Sequence, residues 1–504
     1  MKKFRVIVIA LTLLGYACSG SGDETPGPGP APEGTVTGTV TCEGSGVAGV
    51  VVSDGVNLTV TDTYGRYGLP TDVAQAEFVF ISIPSGYEAQ RQNAFPVFYA
   101  AIDPDEDNQV HNFMLNAVDQ TDYTLLTIAD SHVLNGGTHS NPQDRTMYKN
   151  QVLPALEAYA IAIGKGPVYV VHLGDMTQDN AWDKYSLVDF RSDHNGLSFP
   201  LFTCIGNHDH DNAGDLADTY KAALGPTYYS FNIGRQHYVV LDNIEVKTSV
   251  NTDYDIKLGQ AQLAWLKKDV AALASGVNDV VAVLHSPVLN YSGTDWMLDA
   301  SEFFTVLKNY NLTLLVGHNH IDRIVTTTRN NKSVTEYMTP STGGSGWHSP
   351  MLCRDGTPGS FVAYKFSNGA LSSRKIVPWG ENAGKTYTLY NSGYTNKSGE
   401  RSAMEGADET GAKSAVMVNV WGAVTCTFTE STGGAGTSVN DLYDPGHRTW
   451  FIQAYDAGSV PVGQQTWQSK HLWRYVPVNV GADINVVARD EKGNQVASFS
   501  TRIK

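Results

Sequence analysis

Cysteine is scarce in this sequence, positive charge is in deficit, and no apolar run beyond the first residues is long enough to cross a bilayer. Only five cysteines are spread over 504 residues. Cys42, Cys204, Cys353 and Cys426 lie far apart and show no paired spacing, which speaks against a disulfide framework and a zinc–cysteine site. Cys204 falls inside an apolar run and is expected as a small buried hydrophobe. Lys and Arg number 35 against 51 Asp and Glu, a net charge of −16. That balance disfavours nucleic acid and anionic membrane surfaces as partners. It also repels phosphate, so any phosphate site here needs strong local positive charge, which bound metal ions could supply. The 41% hydrophobic and 17% charged content excludes global disorder. The length is too great for one core and suggests about three domains at roughly 100–200 residues each.

What is present begins with a targeting segment. Lys2, Lys3 and Arg5 precede an apolar run, small residues and Cys18, the order of a secretion signal. Leu14-Gly15-Tyr16-Ala17-Cys18 resembles a bacterial lipobox, which implies cleavage after residue 17 and acylation of Cys18. Loss of 1–17 takes the net charge from −16 to −19. The expected location is the cell envelope, with the protein lipid-anchored to a membrane through Cys18.

Residues 18–34 are rich in Gly, Pro and Ser and read as a flexible linker. Residues 35–117 show short alternating strands and frequent turns, the pattern of a small β-sandwich. Gly49-Val50-Val51-Val52 followed by Thr61-Asp62-Thr63-Tyr64-Gly65-Arg66-Tyr67 resembles the regulatory-like, Ig-like sandwich modules of secreted bacterial enzymes. A spacer is expected there rather than a glycan-binding module. Residues 121–377 alternate apolar runs with helical stretches, the signature of an α/β domain. Helical spacing is clear through Leu263, Leu266, Val270 and Leu273. Residues 383–504 return to short strands and read as a β-rich domain, with Trp421, Trp450, Trp467 and Trp473 as core residues.

The chemistry lies where the apolar runs end. Residues 123–129 deliver Asp130 and His132; 168–173 deliver Gly174 and Asp175; 200–205 deliver Gly206, Asn207, His208 and Asp209. Residues 280–284 deliver His285, and 312–316 deliver Gly317, His318, Asn319 and His320. Ligands of open α/β sheets bind beyond the carboxyl ends of strands, so five such ends point to one site. Imidazole, carboxylate and amide oxygen suit borderline divalent metals. Seven candidate ligands exceed the needs of one tetrahedral ion and suit two ions bridged by a carboxylate. His172, inside a strand, is expected as a core or supporting histidine, and His210 and Asp211 as solvated loop residues. Trp182, Trp296, Trp347 and His348 are candidates for the cleft lining.

These five clusters in order resemble the calcineurin-like metallophosphoesterases, over residues from about 121 to 377. Gly225-Pro226-Thr227-Tyr228-Tyr229-Ser230-Phe231, His237-Tyr238-Val239-Val240-Leu241-Asp242 and Gln262-Leu263-Ala264-Trp265-Leu266 also match. The three-part layout resembles a secreted bacterial branch of that family. The resemblance implies an α/β fold: a four-layer αββα sandwich between the N-terminal β-sandwich and the C-terminal β-rich domain. It implies two divalent or Fe-type ions (Mn, Zn or Fe). Asp130, His132 and His320 would hold the first, Asn207, His285 and His318 the second, and Asp175 would bridge them. His208 would stand beside the metals as a catalytic residue that stabilises or protonates the leaving oxygen, with Asp209 as its neighbour. Hydrolysis of a phosphate mono- or diester by metal-activated hydroxide follows, on a small-molecule or glycan-linked substrate. Gln178 stands where purple acid phosphatases carry tyrosine and protein phosphatases aspartate, so a tyrosinate–iron bond is not expected and the protein phosphatase reading weakens. Asp179 lies one position late. The alternative is a surface glycan-binding or adhesion protein with a degenerate phosphoesterase domain, against which the complete ligand set argues. Oligomeric state stays open.

The lipobox reading predicts that mass spectrometry of the native N-terminal peptide finds acylated Cys18. An unmodified Cys18, or a mature chain starting beyond it, contradicts it.

Overall fold

Both faces of the central strands are apolar, and this decides the architecture. In β1 (Asp122–Ile128), Leu125 joins one core cluster and Leu126 the other. In β2 (Val168–His172), Tyr169 and Val171 face the first cluster and Val170 the second. A period of two buried on both sides requires a layer above and a layer below. The protein, described by a computed structural model over residues 30–135, 144–178, 185–211, 216–247, 253–274, 276–343, 353, 355–391, 415–442, 469–479 and 481–502, supplies them. Cys18, Asp179, Trp182, Trp347, His348, Trp450 and Trp467, with the expected signal segment, lie outside the described residues.

One sheet has the order β3-β2-β1-β10-β11, with β3 Leu201–Thr203, β10 Ser360–Ser367 and β11 Ala370–Pro378. Its first three strands are parallel, and β10 and β11 are antiparallel. The second sheet runs β4-β5-β6-β7-β9-β8. Its strands are β4 Tyr229–Ile233, β5 Gln236–Val240, β6 Asp279–Val283, β7 Asn311–Val316, β8 Arg323–Arg329 and β9 Lys332–Met338. Strands β5, β6, β7 and β9 are parallel. The inner faces of the two sheets meet in one cluster through Leu125, Val171, Phe202, Phe231 and Tyr238. Helices α1 (Leu153–Ile163), α2 (Leu187–Asp193) and α3 (Asp218–Leu224) cover the outer face of the first sheet through Leu156, Phe190 and Tyr220. Helices α4 (Gly259–Ala271) and α5 (Ala300–Val306) bury Leu263, Leu266, Val270 and Phe303 with the second sheet. This is the expected αββα arrangement. Local chemistry sets the helix ends: Ser186 and Asp189 form a reciprocal capping box at α2. No helix among the described residues is long and apolar enough to cross a membrane.

The strands between Val36 and Ala117 form a six-stranded, a four-stranded and a two-stranded sheet. The spacer expectation is corrected here. Val52, Phe80 and Phe98 belong to the same core cluster as Trp265, Phe202 and Tyr229 of the α/β domain. Phe98 and Tyr229 lie 4.6 Å apart between ring centroids. Ile83 forms a parallel bridge with Phe231 of β4. Buried Ser230 reaches both Ser82 Oγ (2.9 Å) and Asp269 Oδ1 (2.8 Å), and His237 closes on Asp269 at 2.8 Å. An apolar face left by one domain is filled by the other, so the sandwich is welded on rather than hung from a linker.

The C-terminal strands form a four-stranded and a three-stranded sheet around Trp473, Tyr475, Val486 and Ala488. Trp421 turns instead into the α/β core. Beside it lies a buried polar network. Arg374 on β11 donates to Asp322 Oδ1 at 2.6 Å, and Gly422 N–H donates to Asp322 Oδ2 at 2.8 Å. His471 faces Asp355 Oδ2 through Nε2 (2.9 Å) and Asn419 Oδ1 through Nδ1 (2.5 Å). Two oxygen acceptors, one on each ring nitrogen, are the partners of an imidazolium.

Burial lowers the pKa of His471, but the hydrogen bond and charge of Asp355, with Asp322, outweigh burial and Arg374 and leave it raised. A raised folded pKa stabilises fully below the unfolded value of about 6.5, and the gain disappears as pH rises through the folded value. His471→Gln is therefore expected to cost about 1.5–3 kcal/mol at pH 5.5, as for a hydrogen bond to a charged group. The gap in melting temperature from the parent protein narrows as pH rises through the raised pKa of His471. A gap that stays constant with pH contradicts a charged His471.

Candidate metal centre

The five strand ends converge at the seam between the two sheets. Strands β1, β2 and β3 supply Asp130, His132, Asp175, Asn207 and His208 from one side; β6 and β7 supply His285, His318 and His320 from the other. The seam is closed by the functional groups themselves. His285 Nδ1 lies 2.8 Å from the Leu173 carbonyl, and His318 N–H donates to both Asp130 carboxylate oxygens at 3.0 Å. Strand ends can come this close only where side chains are missing. A Cβ on Gly174 would lie 2.6 Å from His285 Nδ1, and one on Gly206 would lie 2.3 Å from Asp175 Oδ1.

The backbone is strained here. Asp130, His132, Asp175, His318 and His320 have φ of 50°, 45°, 55°, 73° and 55°. Non-glycine residues rarely adopt this region, and in the described residues outside the site it is taken by Asn93, Asn108, Asn330, Asn331, Asn368 and Glu43. Such strain persists where the surroundings over-determine it, which is common at ligand sites.

Three interlocking groups result, each with ligand atoms within 4.8 Å of one another: Asp130, His132 and His320; His132, Asp175 and His208; Asp175, His285 and His318. His132 Nε2 and His320 Nε2 face each other at 3.0 Å, and His318 Nδ1 lies 3.1 Å from His285 Nε2. His285 Nε2 also lies 3.2 Å from Asn207 Oδ1 and 3.1 Å from Asp175 Oδ2. Burial and neighbouring imidazoles hold His132 and His318 well below the ordinary histidine range, although Asp175 opposes this. Both rings are therefore neutral, the form that ligates metal. Burial also depresses His285, but Asp175 overcomes it and pushes that pKa up to about 9. A proton and a cation compete for the same lone pair there. Buried imidazole nitrogens facing one another across a carboxylate, with no thiolate among them, form a donor set that fits borderline divalent cations.

The ligands are supported from behind. Tyr254 OH lies 3.0 Å from His318 Nε2, which leaves Nδ1 towards the centre. Ser341 Oγ donates to the Asp130 carbonyl at 2.8 Å. His172 is a supporting residue, as expected, with Nε2 2.9 Å from Ser131 Oγ and Nδ1 accepting from Gly174 N–H at 3.2 Å. Neither Tyr254, which opens the short strand Tyr254–Ile256, nor Ser341, in a loop, carried a sequence signal, because each lies far from any motif.

Distance admits His208 to a ligand group, yet its Nδ1 bonds the Gln178 carbonyl and its backbone N–H donates to Asp175 Oδ1 at 2.8 Å. Only Nε2 is left to act. Asp209 was expected at His208's side as a catalytic partner. Its carboxylate instead accepts from the N–H groups of Met176 (2.9 Å), Thr177 (3.1 Å) and Gly206 (3.0 Å), which brace the turns carrying Asp175 and Asn207. Burial first and the charge of Asp175 second raise its pKa to about 6. The backbone carbonyl of Gln178, rather than a side chain at that position, thus orients the His208 ring. His210 and Asp211 were both expected as solvated loop residues. Only His210 departs from that expectation: it is buried, with Nδ1 2.9 Å from the Gly206 carbonyl, whereas Asp211 stays a half-buried loop residue whose carboxylate accepts the Thr219 N–H at 2.8 Å near the start of α3. Trp296, a candidate for the cleft lining, is 38% exposed.

Residues 123–322 match the family model described as calcineurin-like phosphoesterase, and residues 34–118 match the one described as the N terminal of calcineurin-like phosphoesterase. A probable cyclic nucleotide phosphodiesterase of Colwellia psychrerythraea is 25% identical over 229 residues, 44% of this chain and 80% of that protein. A candidate 5′-nucleotidase from Staphylococcus aureus, solved with α-ketoglutarate, aligns with a TM-score of 0.34 and 12% identity, over 51% of this chain and 54% of its own. A 5′-nucleotidase precursor from Thermus thermophilus aligns with a TM-score of 0.32 and 16% identity, also over 51% and 54%. The chain spans about half the length of both solved proteins.

Asp209→Ala leaves three buried N–H groups without an acceptor, at about 1–3 kcal/mol each. Urea unfolding of the metal-free protein is expected to show a loss of at least about 3 kcal/mol. Unchanged stability with abolished turnover would restore Asp209 to a catalytic role.

Proposed function

We propose, from the premise that the chain belongs to the calcineurin-like phosphoesterases, that it hydrolyses small phosphate mono- or diesters outside the cytoplasm, using two divalent or Fe-type ions. At the coarser level it is a metal-dependent hydrolase of phosphoester bonds. The observation that carries the finer reading is the set of three ligand groups, sharing His132 and Asp175, assembled from five strand ends on a strained backbone.

Asp130, His132 and His320 would hold one ion, and Asn207, His285 and His318 the other, with Asp175 between them. Cations bound there would neutralise phosphoryl charge and make an attacking oxygen available at neutral pH. The protein's own groups do the rest. The carbonyl of Gln178 fixes the His208 ring through Nδ1, so Nε2 is the atom that gives up a proton. As a water oxygen that has lost one proton to solvent bonds to phosphorus, the ester P–O bond breaks and the leaving oxygen takes the proton from His208 Nε2. The buried turns braced by Asp209 hold Asp175 and Asn207 without reorganisation during this step. Small phosphoesters, including nucleotides and glycan-linked phosphates, suit this chemistry. The similarity to a probable cyclic nucleotide phosphodiesterase supports including diesters among them. The targeting segment and Cys18 support action at the cell envelope.

Full-length protein is expected to hydrolyse p-nitrophenyl phosphate or bis-p-nitrophenyl phosphate when given manganese, zinc or iron, and to lose this with chelator. His208→Ala should keep both ions by elemental analysis, while Asn207→Ala loses one. General acid help is worth about 10²–10⁴ in rate, so the His208→Ala defect should be of that order on an alkyl ester and smaller on p-nitrophenyl esters. Metal loss in His208→Ala would make it a ligand. A defect independent of leaving group would leave electrostatic stabilisation as its role.

A further inference from the structure

The loop that follows β7 is strained and poorly held by its own residues. His318 and His320 both have positive φ, and among the described residues His320 Nδ1 and Asn319 Nδ2 are buried without a hydrogen-bond partner. His320 therefore lacks the bond on its second ring nitrogen that normally fixes a metal-binding imidazole. The loop is pinned two residues later, at Asp322. The Asp322 N–H donates to Asp355 Oδ2 at 2.7 Å, and its carboxylate accepts from Arg374 and from the Gly422 N–H. Its side chain is 3% exposed and that of Arg374 is 1% exposed, so neither charge can be satisfied by water.

Much of this anchor comes from the C-terminal β module. Gly422 lies in the turn after the strand Val416–Val420. From the strand Ser469–Val476, His471 holds Asp355 Oδ2, the same oxygen that accepts the Asp322 N–H. Asn419 donates to the Asp355 carbonyl at 3.1 Å and turns its amide oxygen to His471. Trp421, next to Gly422, is buried in the α/β core. We infer that the C-terminal module is part of the metal centre's support: through Gly422 and His471 it clamps Asp322, a positioning residue that fixes His318 and His320 in their strained backbone conformation. This rests on the metal-centre reading above.

The test uses the full chain and Mn²⁺ alone, with binding followed by equilibrium dialysis and calorimetry. Asp322→Asn and His471→Gln are each expected to weaken at least one Mn²⁺ site about 10–100-fold, as outer partners of ligands do. Turnover should return towards the parent kcat at saturating Mn²⁺, with half-saturation shifted upward. The double variant should bind no worse than the poorer single, since both break one clamp. Tyr475→Phe, on the same strand as His471 but directed to Glu430, is expected to lower the melting temperature while leaving Mn²⁺ affinity unchanged. If Asp322→Asn does not fold, His471→Gln carries the test. Parent-like Mn²⁺ affinity in both variants, or an equal loss in Tyr475→Phe, overturns the inference. A parent protein that binds no Mn²⁺, Zn²⁺ or Fe²⁺ overturns the metal-centre reading, and this inference with it.

Discussion

The structure depends on keeping one carboxylate, Asp175, charged in a place from which water is excluded. Burial alone would raise its pKa, but His285, His208 and His132 hold it well below the ordinary carboxylate range. Its Oδ1 takes the His208 N–H, and its Oδ2 faces His285 and His132 at 3.1 and 3.5 Å. A buried anion needs such partners from several directions at once. Two sheets meeting at their strand ends provide those directions. The close approach demands glycine at 174 and 206 and left-handed backbone at five functional residues. Strain and charge are thus two consequences of one constraint.

This arrangement also reconciles the global charge with the chemistry. A net charge of −16 repels phosphate at long range. At the seam neutral imidazoles add no negative charge, and cations held by them and by the carboxylates would reverse the local balance. Salt and the Debye length of about 8 Å weaken the distant field far more than the buried one. The molecule can be acidic overall and still accept a phosphoester at this point.

The flanking modules contribute rigidity rather than reach. The N-terminal sandwich shares its core with β4 and α4, through Phe98, Tyr229, Phe80 and Trp265. The C-terminal module docks through Trp421 and a buried ion network around Asp322, Asp355 and Arg374. Buried polar contacts are costly to break, so the bonds from Gly422 to Asp322 and from His471 to Asp355 hold the joined parts in one relative position.

The sequence determined much of the fold and the identity of the centre. Apolar runs buried on both faces specify the strands, and the metal-binding residue types at their ends are visible because strand and ligand are adjacent in the chain. The same reasoning placed His172 and Cys204 inside. It could not assign the five strands to two sheets, since pairing partners lie far apart in sequence. It could not see that Asp209 braces backbone amides, that the Gln178 carbonyl orients His208, or that His210 is buried, because backbone acceptors have no residue type to read. Nor could it foresee that Tyr254 would meet His318, Gly422 meet Asp322, or His471 meet Asp355 across distant segments. Local periodicity and local motifs are encoded within a few residues. Which distant group satisfies a buried charge is decided only when the chain has packed and water has left.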